Sequence, residues 1–279
     1  MDKKVPLIYD ELLNAEAGQI RYEISGMMLG KYTKKYETWK RTQNILRFFR
    51  RELARRQGSL RVVDIGCGNG LIIFLLNTVL GAGVAWFHGV DISPARISLA
   101  CTLAERFGLV NTTWSVADAT VTGLADSSVD IILCIEVIEH IARSDIFLQE
   151  LMRLLKPGGA VIVTTPNGDN LIRRLRLLFG PLTRKEDNSS PYIQAENVSS
   201  ATEHISIKSY REWEFLFRQA GFLIEECRRG SLFSGGAKFD RFPLFFSASI
   251  ILDYVFDCLP FTRGITENIT FLLKKPHSR

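Results

Sequence analysis

Residues 134–140 read CIEVIEH and set Glu136, Glu139 and His140 at spacings of three and four. On a helix those spacings place two carboxylates and an imidazole on one face, about one turn apart. Such a set can ligate a divalent metal, act as acid and base, or be a charged first helical turn favoured by the helix dipole. Two carboxylates this close repel one another unless a positive charge sits between them. A further histidine, His204 in TEHISIK, immediately precedes a helical stretch and can return to the same place. As ligands, Glu136, Glu139, His140 and His204 suit Mg²⁺ or Mn²⁺ if imidazoles are few, and Zn²⁺ or Co²⁺ if they are more. Without a metal, His140 or His204 is the candidate general base, with Glu136 at the same mouth.

A second group surrounds a glycine-rich turn. In VVDIGCGNG (62–70) the glycines fall at 66, 68 and 70, out of step with the spacing of dinucleotide-binding turns. Asp64 stands two residues before Gly66, at the end of a buried apolar run. A carboxylate there repels a pyrophosphate but suits an ammonium group. Asp91 ends the next apolar run, placed to accept hydrogen bonds from both ribose hydroxyls. Asp118 ends the third, placed to meet an adenine amino group. Three acids after three successive strand ends line the crevice where open α/β sheets bind ligands. A zwitterionic, cationic nucleoside fits this pattern better than a dinucleotide.

These residues need a sheet to carry them. RVVDIG (61–66), AWFHGVDI (85–92), TTWSVAD, VDIILCIE and GAVIVTTP read as strands, with helices in LIIFLLNTVL, PARISLACTLAERFG and FLQELMRLLKPGG between them. Later come a helix, SYREWEFLFRQAG, and two strands, FLIEECRRG and ENITFLLKK. This is the βαβ rhythm of a doubly wound parallel sheet. The expected organisation is one domain over 1–279, with a helical N-terminal cap (1–58) on a core (59–279). A polar stretch, 167–203, and an apolar one, 231–263, interrupt the core as insertions.

The net charge of +5 is modest, yet residues 31–56 hold ten lysines and arginines against Glu37 and Glu52. Such a cluster is a solvated helix face or a surface for an anionic partner, lipid headgroups or RNA. The five cysteines are scattered, with no CxxC pair, which suits a reducing, cytoplasmic setting and argues against a zinc ribbon. The first residues, MDKKVPLIYDELLNAEAG, are too polar and acidic for a signal peptide. The apolar run 242–261 approaches membrane-spanning length, but Asp253, Asp257 and a proline near each end argue against a span.

Asp64-Ile-Gly-Cys-Gly-Asn-Gly70, Asp91, Asp118 and Lys156-Pro-Gly-Gly159, in this order, resemble the motifs of class I S-adenosylmethionine-dependent methyltransferases. The resemblance covers roughly residues 60–275 and implies a seven-stranded sheet whose last strand (267–274) runs antiparallel. It implies S-adenosylmethionine as cofactor, with Gly66, Gly68 and Gly70 letting the backbone approach its methionine part. Ile135 would pack on the cofactor, and Cys67, Ile92 and Ala119 complete the implied set. Glu-x-x-Glu-His is similar to two groups of that superfamily. One is the O-methyltransferases of ubiquinone biosynthesis, which methylate prenylated catechols and phenols. The other is the small-RNA 3′-terminal 2′-O-methyltransferases, where the same three residues and a later histidine hold a metal. TTPNGDN (164–170) resembles the second group locally, but TEHISIK is sparser than that group's histidine motif.

In such an enzyme the sulfonium makes the methyl electrophilic, so the protein aligns an oxygen in line and removes its proton. NLIRRLRLLFGPLTRK (170–185) reads as a basic amphipathic helix, either lying on an anionic membrane as a peripheral contact or packed on its own domain. The run 242–261 could roof the site or join that helix at a bilayer. Ubiquinone-type relatives place a membrane-touching insertion after the same strand. The leading expectation is O-methylation of a small or lipid-soluble acceptor, with divalent-metal assistance as an option. RNA 2′-O-methylation is one alternative; against it, no aromatics cluster with the basic residues for base stacking. A non-catalytic, cofactor-binding scaffold is the other. The oligomeric state leaves no mark in the sequence.

Overall fold

A computed structural model describes residues 33–56, 58–80, 83–170, 206–232, 251, 253–256 and 264–277. Helix α1 (Thr33–Arg55) leads into β1 (Leu60–Ile65), α2 (Leu71–Leu80), β2 (Val84–Asp91), α3 (Pro94–Arg106), β3 (Thr112–Val116) and β4 (Val129–Ile135). A single 3₁₀ turn (Ile138–His140) follows, then α4 (Ser144–Leu154), β5 (Leu155–Pro166), α5 (Tyr210–Gln219), β6 (Leu223–Arg229) and β7 (Asn268–Lys274). The strands form one seven-stranded sheet in the order β3-β2-β1-β4-β5-β7-β6. Strand β7 runs antiparallel to both its neighbours, as expected. The chain reverses its direction of travel across the sheet between β1 and β4, so the crevice lies at the carboxyl ends of those strands.

The central strands are apolar without alternation because both faces of the sheet are covered. Val62, Ile131, Leu133 and Ile162 pack with Ile45, Phe48 and Phe49 of α1 and Ile73 and Leu76 of α2. Val63, Ile65, Ile132 and Val163 pack instead with Phe147 and Leu151 of α4 and Trp213 and Phe217 of α5. Each such side chain, fully buried, contributes about 1.5–3 kcal/mol. Ser93 caps α3 ahead of Pro94, and Ser209 with Glu212 closes a capping box on α5, so these helices start where their side chains satisfy the first free N–H groups.

Helix α1 is bound to the sheet by charge as well as by its apolar stripe. Arg51 pairs with Glu225 (3.2 Å) and Glu226, and Arg55 with Glu225. Arg56 (3.0 Å) and Lys274 share the fully buried Glu52. Much of the basic run is thus neutralised by the chain's own carboxylates, while Arg47 and Arg50 stay exposed. Lys156 of the Lys-Pro-Gly-Gly stretch pairs with Asp130 (2.8 Å) at the amino end of β4, so it steadies the end of the sheet away from the crevice.

Of the two insertions, 171–203 and most of 231–263 lie outside the described residues, as do His204 and the arginines of 170–185. Residues 253–256 form a helical turn whose Asp253 is buried. Its carboxylate accepts hydrogen bonds from Tyr36 Oη (2.8 Å), Lys40 and the Leu232 amide (3.0 Å), and pairs with Arg229 (3.4 Å). Among the described residues no helix is long and apolar enough to cross a membrane.

Candidate cofactor and acceptor site

The glycine-rich turn joins β1 to α2 and is held from both sides. The Gly66 and Cys67 amides donate to the Val90 carbonyl at 2.7 and 3.0 Å, and the Gly68 amide to Asp91 Oδ2 at 2.8 Å. Gly66 (φ +74°) and Gly70 (φ +84°) have left-handed backbones that side chains disfavour. Space excludes a side chain there too: an added Cβ would come within 2.4 Å of Val137 at Gly66 and of the Trp114 ring at Gly70. The same ring fills the space above Gly89. Val137 and Trp114 therefore clamp the turn. Sequence reasoning missed both, since Trp114 sits in an ordinary strand and Val137 inside a stretch read for its acids.

The three acids come to one rim but differ in setting. Asp64 and Asp91 are buried, at the ends of paired strands β1 and β2. Burial, with the Asp91 charge nearby, pushes the Asp64 carboxyl well above the usual carboxylate range. A buried carboxyl beside a second carboxylate makes this rim a favourable place for a cationic ligand. Both oxygens of Asp91 accept from the backbone, one from Gly68 and one from the Ser93 amide (2.9 Å). Asp118 is exposed, and its carboxylate turns to the Thr120 amide (2.7 Å) and hydroxyl (2.6 Å), bonds that hold it below the usual range. Ile92 directly follows Asp91 and is 65% exposed, leaving an apolar surface that a flat ring can cover. Ala119 and Ile135 are half-buried beyond the ends of β3 and at the end of β4.

CIEVIEH lies at the mouth but does not form the expected single helical face. Ile138–His140 is one 3₁₀ turn, and Glu136 precedes it in a left-handed conformation, φ +56°. The cause is the end of β4: the Glu136 amide donates to the carbonyl and hydroxyl oxygens of Thr164, both at 3.1 Å, and the chain must turn sharply to do so. The Thr164 hydroxyl donates in return to Glu136 Oε1 at 2.8 Å. Arg41 of α1 meets Glu136 Oε2 at 3.1 Å, and supplies the positive charge that two neighbouring acids require. Glu139 is 1% exposed, and its Oε2 has no hydrogen-bond partner among the described residues. His140 is half-buried at the end of the turn. Among the described residues no three of His, Cys, Asp and Glu converge on a metal-sized site. Glu136 is already engaged by Thr164 and Arg41, and His204, the fourth residue of the expected metal set, lies outside the described residues.

Glu139 makes a pH dependence measurable. Burial, then the Glu136 charge, pushes its carboxyl from 4.5 up to about 8, and Arg41 draws it partly back. The proton is held more tightly in the folded state, so that contribution is complete below about pH 4.5 and is lost as pH rises to about 8. Glu139→Gln cannot ionise and escapes the loss. Its melting temperature is expected to gain on the wild type steadily from pH 5 to pH 8; parallel curves would show that Glu139 ionises normally.

A family model for a methyltransferase domain matches residues 57–221. The ubiquinone biosynthesis O-methyltransferase of Rhizobium etli is 36% identical over 114 residues, which are 41% of this chain and 44% of that protein. Its counterpart in Cereibacter sphaeroides is 38% identical over 132 residues, 45% of this chain and 50% of that one. These matches span about half the length of the curated relatives or less. Haemonchus contortus phosphoethanolamine N-methyltransferase 2, solved with S-adenosyl-L-methionine, shares the fold with a TM-score of 0.57 at 17% identity, over 96% of this chain and 60% of that one. The domain match covers more than half of the chain and agrees with the sheet order and antiparallel last strand, so this chain belongs to the class I S-adenosylmethionine-dependent methyltransferases.

Proposed function

We propose that this protein transfers a methyl group from S-adenosylmethionine to an oxygen of a small or lipid-soluble acceptor. The observation that carries the cofactor half is the pair of buried acids, Asp64 and Asp91, around a clamped glycine turn with Ile92 open beside them. Asp64 meets the ammonium group, Asp91 the ribose hydroxyls, and Ile92, Ala119 and Ile135 the adenine ring and neighbouring apolar surface. Gly66, Cys67, Gly68 and Gly70 bring backbone close to the methionine part, and Asp118 stands at the adenine edge. When bound, the cofactor supplies a methyl on a sulfonium centre. The chain's own work is to align the acceptor oxygen and take its proton, with His140 at the mouth as the base and His204 as a second candidate.

Oxygen as the acceptor atom is supported by the O-methyltransferases among the relatives. A lipid-soluble acceptor is supported by Ile251, Tyr254 and Val255, which stand 66%, 59% and 56% exposed beside the buried Asp253. Peripheral contact with a bilayer through 170–185 and 242–261 belongs to the same proposal. Methyl-labelled S-adenosylmethionine, offered with membrane lipid extract, water-soluble phenols or small RNA, tests the reading by mass spectrometry. Label is expected on an oxygen in the lipid or phenol fraction. Label in RNA alone, on nitrogen, or in no fraction would overturn it.

A further inference from the structure

Glu136 is fixed by more contacts than a charged surface residue needs. Its φ of +56° is a strained value for a residue with a side chain, and it persists because Thr164 binds both its amide and Oε1. That leaves Oε2, which faces Arg41 Nη1 at 3.1 Å. The position of Arg41 is equally determined. The next turn of α1 buries Ile45, and Phe48 and Phe49 lie beyond it in the same core. The residue just before it, Lys40, is locked onto the buried Asp253. Helix α1 therefore delivers a guanidinium to the acidic mouth on a rigid arm. Its charge also acts on Glu139, the second acid of the mouth.

A divalent cation at Glu136 would have to sit where the guanidinium sits, and two positive centres so close repel. Unlike a metal, the guanidinium needs no loading and keeps its charge at any working pH. We infer that Arg41 is the resident counter-ion of this mouth, that it excludes a divalent metal from Glu136 and Glu139, and that catalysis here proceeds without one. Only the last clause rests on the methyltransferase reading. Arg41 is a positioning residue in this scheme: it holds the Glu136 carboxylate, and through it the turn that carries His140.

Mn²⁺ binding to the full chain, followed by the loss of the free-ion paramagnetic resonance signal, tests the exclusion without any turnover. Wild-type protein is expected to bind Mn²⁺ weakly. Arg41→Ala should bind it at least about tenfold more tightly, and Arg41→Ala with Glu136→Gln should lose that gain. Arg41→Met, which keeps most of the apolar stem, guards against a variant that does not fold, and circular dichroism checks each protein. Equal Mn²⁺ affinity in wild type and both single variants, whether tight or absent, would overturn the inference. Where methyl transfer is measurable, full turnover is expected in excess EDTA, and a loss restored by Mn²⁺ would overturn the last clause alone. A protein that shows no methyl transfer at all would count against the function proposed above and leave the Mn²⁺ result standing.

Discussion

Asp253→Ala is expected to destabilise the folded protein by about 3–5 kcal/mol, the usual cost of removing one partner of a buried ion pair. Asp253 answers two cations, Lys40 and Arg229, which are themselves only 7% and 5% exposed. It also accepts from Tyr36 and from the Leu232 amide. Truncation takes one carboxylate away from two cations, a hydroxyl and an amide in a space water reaches poorly. Asp253→Asn keeps the shape and some hydrogen bonding but not the charge, so it should fall between wild type and alanine. Urea unfolding measures the difference. The network ties α1 to the 253–256 turn and to the end of β6, so limited proteolysis should also cut the variant sooner than the wild type. An unfolding free energy within about 1 kcal/mol of wild type would mean that the cations are held by other partners once Asp253 is gone.

That network shows where reading the sequence reaches and where it stops. The strands and helices of the core were legible because each carries its own period and punctuation: LIIFLLNTVL ahead of β2, Pro94 opening α3, the acid closing each of the first two strands. The glycine turn and its flanking acids were legible for the same reason, since Asp64, Gly66, Gly68, Gly70 and Asp91 take their places from local strand-turn-helix geometry. Pairings between distant segments were not. Asp253 appeared only as an obstacle to a membrane span, and its partners lie more than 200 residues away on α1. The basic run 31–56 invited an anionic partner, because nothing local shows that Glu225, Glu226 and Asp253 come to meet it. In CIEVIEH the need for a positive charge was legible from the spacing of the acids, but not its source. A metal and a distant arginine satisfy the same electrostatics, and only the packing of α1 distinguishes them.

The second large effect concerns the cofactor. Asp91→Ala is expected to weaken S-adenosylmethionine binding by about 10- to 150-fold, the equivalent of 1.5–3 kcal/mol for hydrogen bonds to a charged group. Two losses combine. In the proposed binding mode the ribose hydroxyls lose their acceptor, and the Gly68 and Ser93 amides, now bound at 2.8 and 2.9 Å, lose theirs. The second loss loosens the glycine turn itself, so the cofactor meets a surface that must be ordered on binding. Asp118→Ala is the informative contrast, because Asp118 is exposed and its carboxylate already serves Thr120. Its removal costs the cofactor one solvent-screened contact, and a loss below about tenfold is expected. Titration calorimetry on both variants, with melting curves to confirm folding, separates the two acids. If Asp91→Ala binds as well as wild type, the ribose assignment fails. If instead Asp118→Ala is the weaker binder, the adenine edge governs affinity, and the rim must close on the ligand by turning Asp118 away from Thr120.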